Sequence, residues 1–214
     1  MNFTLIDMEN WERKECFNHF MTVAKSTYSL TVNMDITYLM TFIKQHNLRL
    51  YPTFTWIITR ALNQHVEFKT CYDLNHQLGY YDEISPCYSI LDDQTKIMDS
   101  MTTPYDQNFK NFYIQMTTDL DNYKTSKHKT DFLPNFFLVS CLPWLSYTSF
   151  DVNNQSDYDF LLPMVTWGKY FEQQDKILMP LTLQVHHAVC DGYHCSLFYK
   201  DVETVLAHPE HYLI

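Results

Sequence analysis

Residues 183–194 read Leu-Gln-Val-His-His-Ala-Val-Cys-Asp-Gly-Tyr-His. Before and into them, Leu181, Leu183 and Val185 alternate with Thr182, Gln184 and His186, which predicts a strand over 177–187 with one apolar face. After them, Phe198, Val202, Val205 and Leu206 share one side of a helix expected over 193–206. The fold turns on this junction, because period two puts His187 with the leucines and His186 on the other face. A histidine among aliphatic side chains loses solvation, stays neutral and can accept a proton near neutral pH, as a general base must. Spacing alone leaves a second reading open: Asp191 as N-cap of the last helix, Gly192 as a permissive turn residue, and His187 as an ordinary strand-end histidine.

The rest of the chain supplies elements to pack around that strand. Phe17, Phe20, Met21 and Ala24 predict a helix over 11–24, followed by a strand at 28–34. Asp35 is placed to cap a helix carrying Ile36, Leu39, Met40 and Ile43, and another after Tyr51-Pro52 carries Phe54, Ile57, Ile58, Ala61 and Leu62. Short strands with turns at Gly79, Pro86 and Asp92-Asp93 fill 69–100. Phe109, Phe112, Tyr113, Met116 and Leu120 predict a helix over 105–123, and the polar run 124–131 reads as a surface loop. Strands are then expected at 136–142, 146–152 and 161–167. Helices early and strands late, without strict alternation, predict an α/β fold: a mixed β-sheet with helices packed on it, in a single domain over 1–214.

Composition narrows the function. A formal charge of −10 argues against a nucleic-acid partner, which needs clustered Lys and Arg. The six cysteines, at 16, 71, 87, 141, 190 and 195, lack C-x-x-C spacing, so no metal is expected and scattered thiols in a reducing compartment are. Three glycines are too few for a dinucleotide or P-loop fingerprint. The first residues turn charged without an apolar stretch of signal length, and no apolar run is long enough to span a membrane. The expectation is a cytoplasmic protein with no membrane partner.

Gln184-Val-His-His-Ala-Val-Cys-Asp-Gly-Tyr-His194 closely resembles the active-site signature of the type A chloramphenicol acetyltransferases, a branch of the CoA-dependent acyltransferases with an H-x-x-x-D motif. The likeness extends in order along nearly the whole chain. It includes Asn10-Trp11-Glu12-Arg13-Lys14-Glu15, Met34-Asp35-Ile36-Thr37 and Leu50-Tyr51-Pro52. It continues through Val139-Ser140-Cys141-Leu142-Pro143-Trp144, Thr148-Ser-Phe-Asp-Val-Asn153 and Val165-Thr-Trp-Gly-Lys-Tyr170.

The resemblance implies a two-layer α/β sandwich assembling as a homotrimer with active sites at subunit interfaces. It implies acetyl-CoA as co-substrate, no permanently bound cofactor, and direct acetyl transfer to a hydroxyl of chloramphenicol. By match, His187 is the general base, Ser140 the donor to the oxyanion, and Thr166 a residue binding the intermediate through water. Asp191 is implied to form a buried pair with Arg13 that holds the junction, without touching the histidine. Acceptor contacts fall on His19, Phe20, Ala24, Ser26, Tyr28, Met98, Val152 and Met164, and CoA contacts on Lys169 and Tyr170.

The acceptor positions depart from the family pattern. Two or three in 19–28 are smaller or more polar than usual, Met98 stands where an aromatic is usual, and Trp167 replaces a smaller residue. Another small hydroxylated acceptor is therefore the nearest alternative, ahead of a longer CoA ester as donor or a non-catalytic drug-binding trimer.

Overall fold

The strand before the double histidine is β10 (Lys176–His186), and it lies inside the main sheet. In the computed structural model, which describes residues 2–153 and 158–214, β10 pairs antiparallel with β2 (Thr27–Asp35) on one side and β8 (Met164–Gly168) on the other. β8 runs parallel to β7 (Phe136–Leu142), β7 parallel to β5 (Ser85–Leu91), and β5 antiparallel to β6 (Met98–Thr102). The short β9 (Phe171–Gln173) folds back on β10 to complete a seven-stranded mixed sheet. A separate small sheet has the order β1 (Phe3–Leu5), β4 (Leu78–Tyr81), β3 (Thr70–Tyr72).

The helices are α1 (Lys14–Thr22), α2 (Thr37–Gln45), α3 (Leu50–Asn63), α4 (Phe109–Ser126) and α5 (Gly192–Ala207). α2, α3 and α5 pack on the main sheet, α4 packs on α3, and α1 meets the turn after β10 through Phe20. α3 is buried almost all round, packed against α4, α5 and β5. Its buried hydroxyls Thr53, Thr55 and Thr59 donate to the carbonyls four residues back, so they carry no unpaired polar group inward. Tyr199 stitches α5 to the sheet: its hydroxyl donates to Leu30 O (2.6 Å) and accepts from Leu183 N–H (3.1 Å). The cysteines are all free; Cys16 and Cys141 are half-buried and the other four buried. The architecture is the expected α/β two-layer sandwich with a mixed sheet.

Several boundaries move for identifiable reasons. α1 is shorter than the predicted 11–24. α4 begins at Phe109 instead of 105 because Asn108 caps it, accepting from Asn111 N–H (3.1 Å), and it runs on through 126 until Lys127 turns left-handed at φ 57°. The first three residues of the predicted polar loop, 124–126, are therefore helix. Asp35 closes β2, and its carboxylate accepts from Thr37 N–H (3.1 Å), one residue before the formal cap position at Ile36.

No strand forms over 146–152. That segment instead crosses the polar face of β10, and together with Tyr158 it meets Thr182, Gln184 and His186 at the end of that strand. The Tyr147 hydroxyl accepts from Thr182 Oγ1 (3.2 Å) and donates to Thr166 O (2.7 Å). Gln184 grips the backbone of Val152 with both ends of its amide, at 3.0 and 2.7 Å. The Tyr158 ring lies edge-on to His186 with centroids 4.4 Å apart. The strap's polar groups are satisfied by sheet side chains rather than a neighbouring strand. It leaves Thr182, Gln184 and His186 buried on what alternation presents as an open face.

Candidate active site

α5 begins where β10 ends, and the turn between them holds His187. Its backbone N–H donates to Ser26 O (3.0 Å), continuing the β2 pairing by one residue. The imidazole stacks on Phe20 (centroids 3.8 Å, planes within 12°) and meets Tyr28 edge-on at 5.0 Å. Burial pushes the Tyr28 phenol far up, with Cys195 at 3.5 Å adding to the shift, so it stays protonated beside the histidine. Nδ1 of His187 is buried without a hydrogen bond, which leaves Nε2 on the accessible side of a ring about a third exposed.

Arg13 fixes this turn from the first helix. Its Nη1 and Nη2 donate to Asp191 Oδ2 (2.6 Å) and Oδ1 (2.9 Å), while Nη2 and Nε also reach His187 O (2.9 Å) and Ala188 O (2.7 Å). The guanidinium beside Asp191 holds that carboxyl below its usual range. Two expectations need correction. The pair is half-buried, with 15% of the Arg13 side chain and 40% of the Asp191 side chain exposed. Asp191 also does approach the histidine: its Oδ1 lies 3.4 Å from His187 Nδ1, though Arg13 already binds both oxygens and the ring forms no hydrogen bond there.

A third correction concerns the neighbours of His187. His187 lies among aromatic rings, not the aliphatic side chains that parity suggested. The fully buried histidine of the pair is His186, 1% exposed under the strap, with its pKa pushed down to about 4 by burial. Its Nδ1 accepts from Ala188 N–H (3.1 Å), bracing the same turn from the opposite side.

A second group of predicted residues assembles in the middle of the sheet. Ser140 on β7 is in register with Thr166 on β8, Thr166 with Thr182 on β10, and Thr182 with Thr31 on β2. These four hydroxyls form one row across four adjacent strands, and the Thr31 and Thr182 oxygens are 2.7 Å apart. Ser140 and Thr166, with Val152 and Met164, border a cavity of about 210 Å³ that also takes in Ser89 and Ser100. The Ser140 hydroxyl has no hydrogen-bond partner among the described residues.

The acceptor positions divide between the two groups. Phe20 and Tyr28 touch His187; His19 is edge-on to Phe20 at 5.0 Å; Ser26 supplies the carbonyl under His187, and its hydroxyl donates to Ala24 O (2.7 Å). Met98 joins neither and borders a separate cavity of about 390 Å³ with Tyr51, Trp144 and Trp167. Lys169 and Tyr170 are exposed on the turn after β8, where Lys169 N–H donates to Leu145 O (2.8 Å). Supporting residues that pattern reading missed include Tyr147, Tyr158 and His194. Tyr158 bridges Phe20 O and Ser26 N–H through its hydroxyl, and His194 Nδ1 accepts from Asp191 N–H (3.0 Å). Only the position of His194, third in the last helix and facing back to its cap, carried a signal in the sequence.

His187 and Ser140 do not meet within one chain. His187 is five residues along the chain from Thr182, and Ser140 is two strands across from it. At about 3.3 Å per residue and about 4.8 Å per strand, the two are roughly 20 Å apart. One chain thus presents a base on an aromatic shelf at one end of β10 and a hydroxyl cluster in mid-sheet.

The family model for chloramphenicol acetyltransferase matches residues 1–203. A chloramphenicol acetyltransferase of Clostridium perfringens is 42% identical over 216 residues, covering 100% of this chain and 99% of that relative. One of Staphylococcus aureus is 39% identical over 217 residues, with 100% of both chains covered. A solved structure of a chloramphenicol acetyltransferase superposes with a TM-score of 0.85 at 26% identity, covering 96% of this chain and 100% of that one. The chain belongs to the chloramphenicol acetyltransferase family.

Proposed function

We propose that the protein moves the acetyl group of acetyl-CoA to a hydroxyl of chloramphenicol, inactivating the antibiotic. Nε2 of His187 takes the hydroxyl proton as the acceptor oxygen attacks the thioester carbonyl. The Ser140 hydroxyl donates to the resulting oxyanion, and Thr166 binds the intermediate through water. Collapse expels the CoA thiolate, which recovers the proton from His187 and leaves as free thiol beside the acetyl ester. Arg13 and Asp191 touch neither substrate; they hold the turn that aims the imidazole. Lys169 and Tyr170, both exposed after β8, contact CoA in this reading, which calls on no resident cofactor or metal. Because it draws on acetyl-CoA, this reading has the protein at work in the cytoplasm.

The observation that carries the reading is the pairing of an arginine-braced histidine, with Nε2 accessible, and a hydroxyl cluster roughly 20 Å away on the same sheet. Neither half completes a transfer alone, so the base of one subunit serves the Ser140 cluster of a neighbour in a homotrimer. Free thiol released from acetyl-CoA on addition of chloramphenicol tests the activity; protein that releases none with this acceptor is not this enzyme.

One feature favours keeping a second acceptor in the test. Ser89 and Ser100 line the cavity with Ser140 and Thr166, adding two hydroxyls to those of the expected site beside the apolar Leu138, Phe150, Val152 and Met164. A more polar hydroxylated acceptor fits such a lining, and a panel of hydroxylated antibiotics in the same assay separates the two by kcat/KM.

A further inference from the structure

Beyond the acetyl-transfer site, a compact group of ligating side chains stands on the last turn of the chain. A 3-10 turn, Pro209–His211, follows α5 with His208 before it. Residues three apart eclipse in such a helix. His208 and His211 accordingly stack, with ring centroids 5.5 Å apart and planes within 15°. Glu210 sits against both: its Oε1 lies 3.8 Å from His208 Nδ1 and 3.7 Å from His211 Nε2. The three ligand atoms are within 4.8 Å of one another, and all three residues are exposed.

The turn under them is held in place. Pro209 and Leu213 are buried, Leu213 N–H donates to Pro209 O (2.9 Å), and the Arg60 guanidinium covers the Tyr212 ring at 4.8 Å. A fixed backbone lowers the ordering cost of bringing ligands onto an ion. With metal–ligand distances of about 2.0–2.2 Å, a tetrahedral zinc site sets its ligand atoms about 3.4 Å apart, which small side-chain rotations reach from the observed spacing. Two imidazoles and one carboxylate suit Zn²⁺, Co²⁺, Ni²⁺ and Cu²⁺, and not Mg²⁺ or Ca²⁺, which want oxygen throughout. The cysteine spacing that spoke against a zinc ribbon does not bear on a site made without thiolates.

We propose that His208, Glu210 and His211 form a surface site for a divalent transition ion, with Zn²⁺ as its reference ligand, bound through Nδ1, Oε1 and Nε2 with solvent in the remaining position. The test is calorimetric titration of the metal-free 214-residue chain with Zn²⁺, repeated with Co²⁺ followed by absorption. One saturable equivalent is expected, with shifts of the His208 and His211 imidazole resonances. Weakening of about tenfold or more is expected in His208→Ala and in His211→Ala, with a smaller loss in Glu210→Gln. Unchanged melting and acetyl transfer in these variants show that folding is intact. The proposal is overturned if no saturable binding occurs, if the imidazole resonances of these two residues stay put, or if the His208→Ala/His211→Ala protein binds as tightly as the parent. It is equally overturned if the Co²⁺ complex shows thiolate charge transfer, which would assign the ion to a cysteine. Displacement of Zn²⁺ by millimolar Mg²⁺ would count against the nitrogen ligands.

Discussion

One guanidinium, that of Arg13, grips Asp191 at both carboxylate oxygens and the carbonyls of His187 and Ala188 at the same time. The planar fork is what permits four contacts from one side chain, and a lysine ammonium has no such geometry. Arg13→Lys is expected to lower kcat roughly 10- to 100-fold through misplacement of His187, with KM for both substrates little changed. Because Asp191 is 40% exposed, the stability loss should be about 1–2 kcal/mol, below that of a fully buried pair. Steady-state kinetics with urea melts measure both, and a variant with full kcat would remove the positioning role.

Ser140→Ala should cost about 10²- to 10³-fold in kcat with KM nearly constant, the signature of a donor that acts on the oxyanion. Subunit mixing then asks where its partner lies. Inactive His187→Ala and Ser140→Ala chains, co-refolded in equal amounts, should regain roughly a quarter of the parent activity, since one site in four draws its histidine and serine from intact sources. Mixtures that stay inactive would place both groups in one subunit.

The buried His186 makes stability pH-dependent. Its folded pKa, pushed down to about 4, lies below the ordinary value of 6.5, so the unfolded chain binds the proton more readily. Stability should therefore fall as pH drops from about 6.5 towards 4. His186→Asn keeps an acceptor for Ala188 N–H and removes the titration. Denaturant midpoints across this range should be flatter for the variant than for the parent.

Gly168 lies where the strap crosses β8. A Cβ added there would meet Leu145 O at 2.7 Å, Tyr147 Cε1 at 2.8 Å and Pro180 Cγ at 2.9 Å. Gly168→Ala is expected to cost about 1–3 kcal/mol, each kilocalorie lowering Tm by about 2–4 °C in a chain of this size. Thermal melts followed by circular dichroism would show it; an unchanged Tm would mean that the strap yields without cost.

Much of the fold was legible because the deciding elements are local and strongly patterned. β10, α5 and the Asp191 cap follow from period two giving way to period 3.6 across a dozen residues. Ser140 was not legible in that way: a serine within a strand is unremarkable, and its place beside Thr166 depends on parallel pairing between strands distant in sequence. Only the resemblance singled it out. The two histidines show the limit most sharply. Parity separated their faces, yet gave no sign of how deeply His186 is buried, because the strap that covers it makes no periodic pattern of its own. Its anchors, Tyr147, Gln184 and Tyr158, are side chains reaching across the sheet.

The spacing of His187 from Ser140 along one sheet also bears on how activity arises with time. If the two must come from different chains, a newly folded subunit is inert however well it is made. Activity after refolding should then lag behind the recovery of helix signal, and that lag should shorten as protein concentration rises. Dilution would reverse the process, so specific activity becomes a gauge of association rather than of folding.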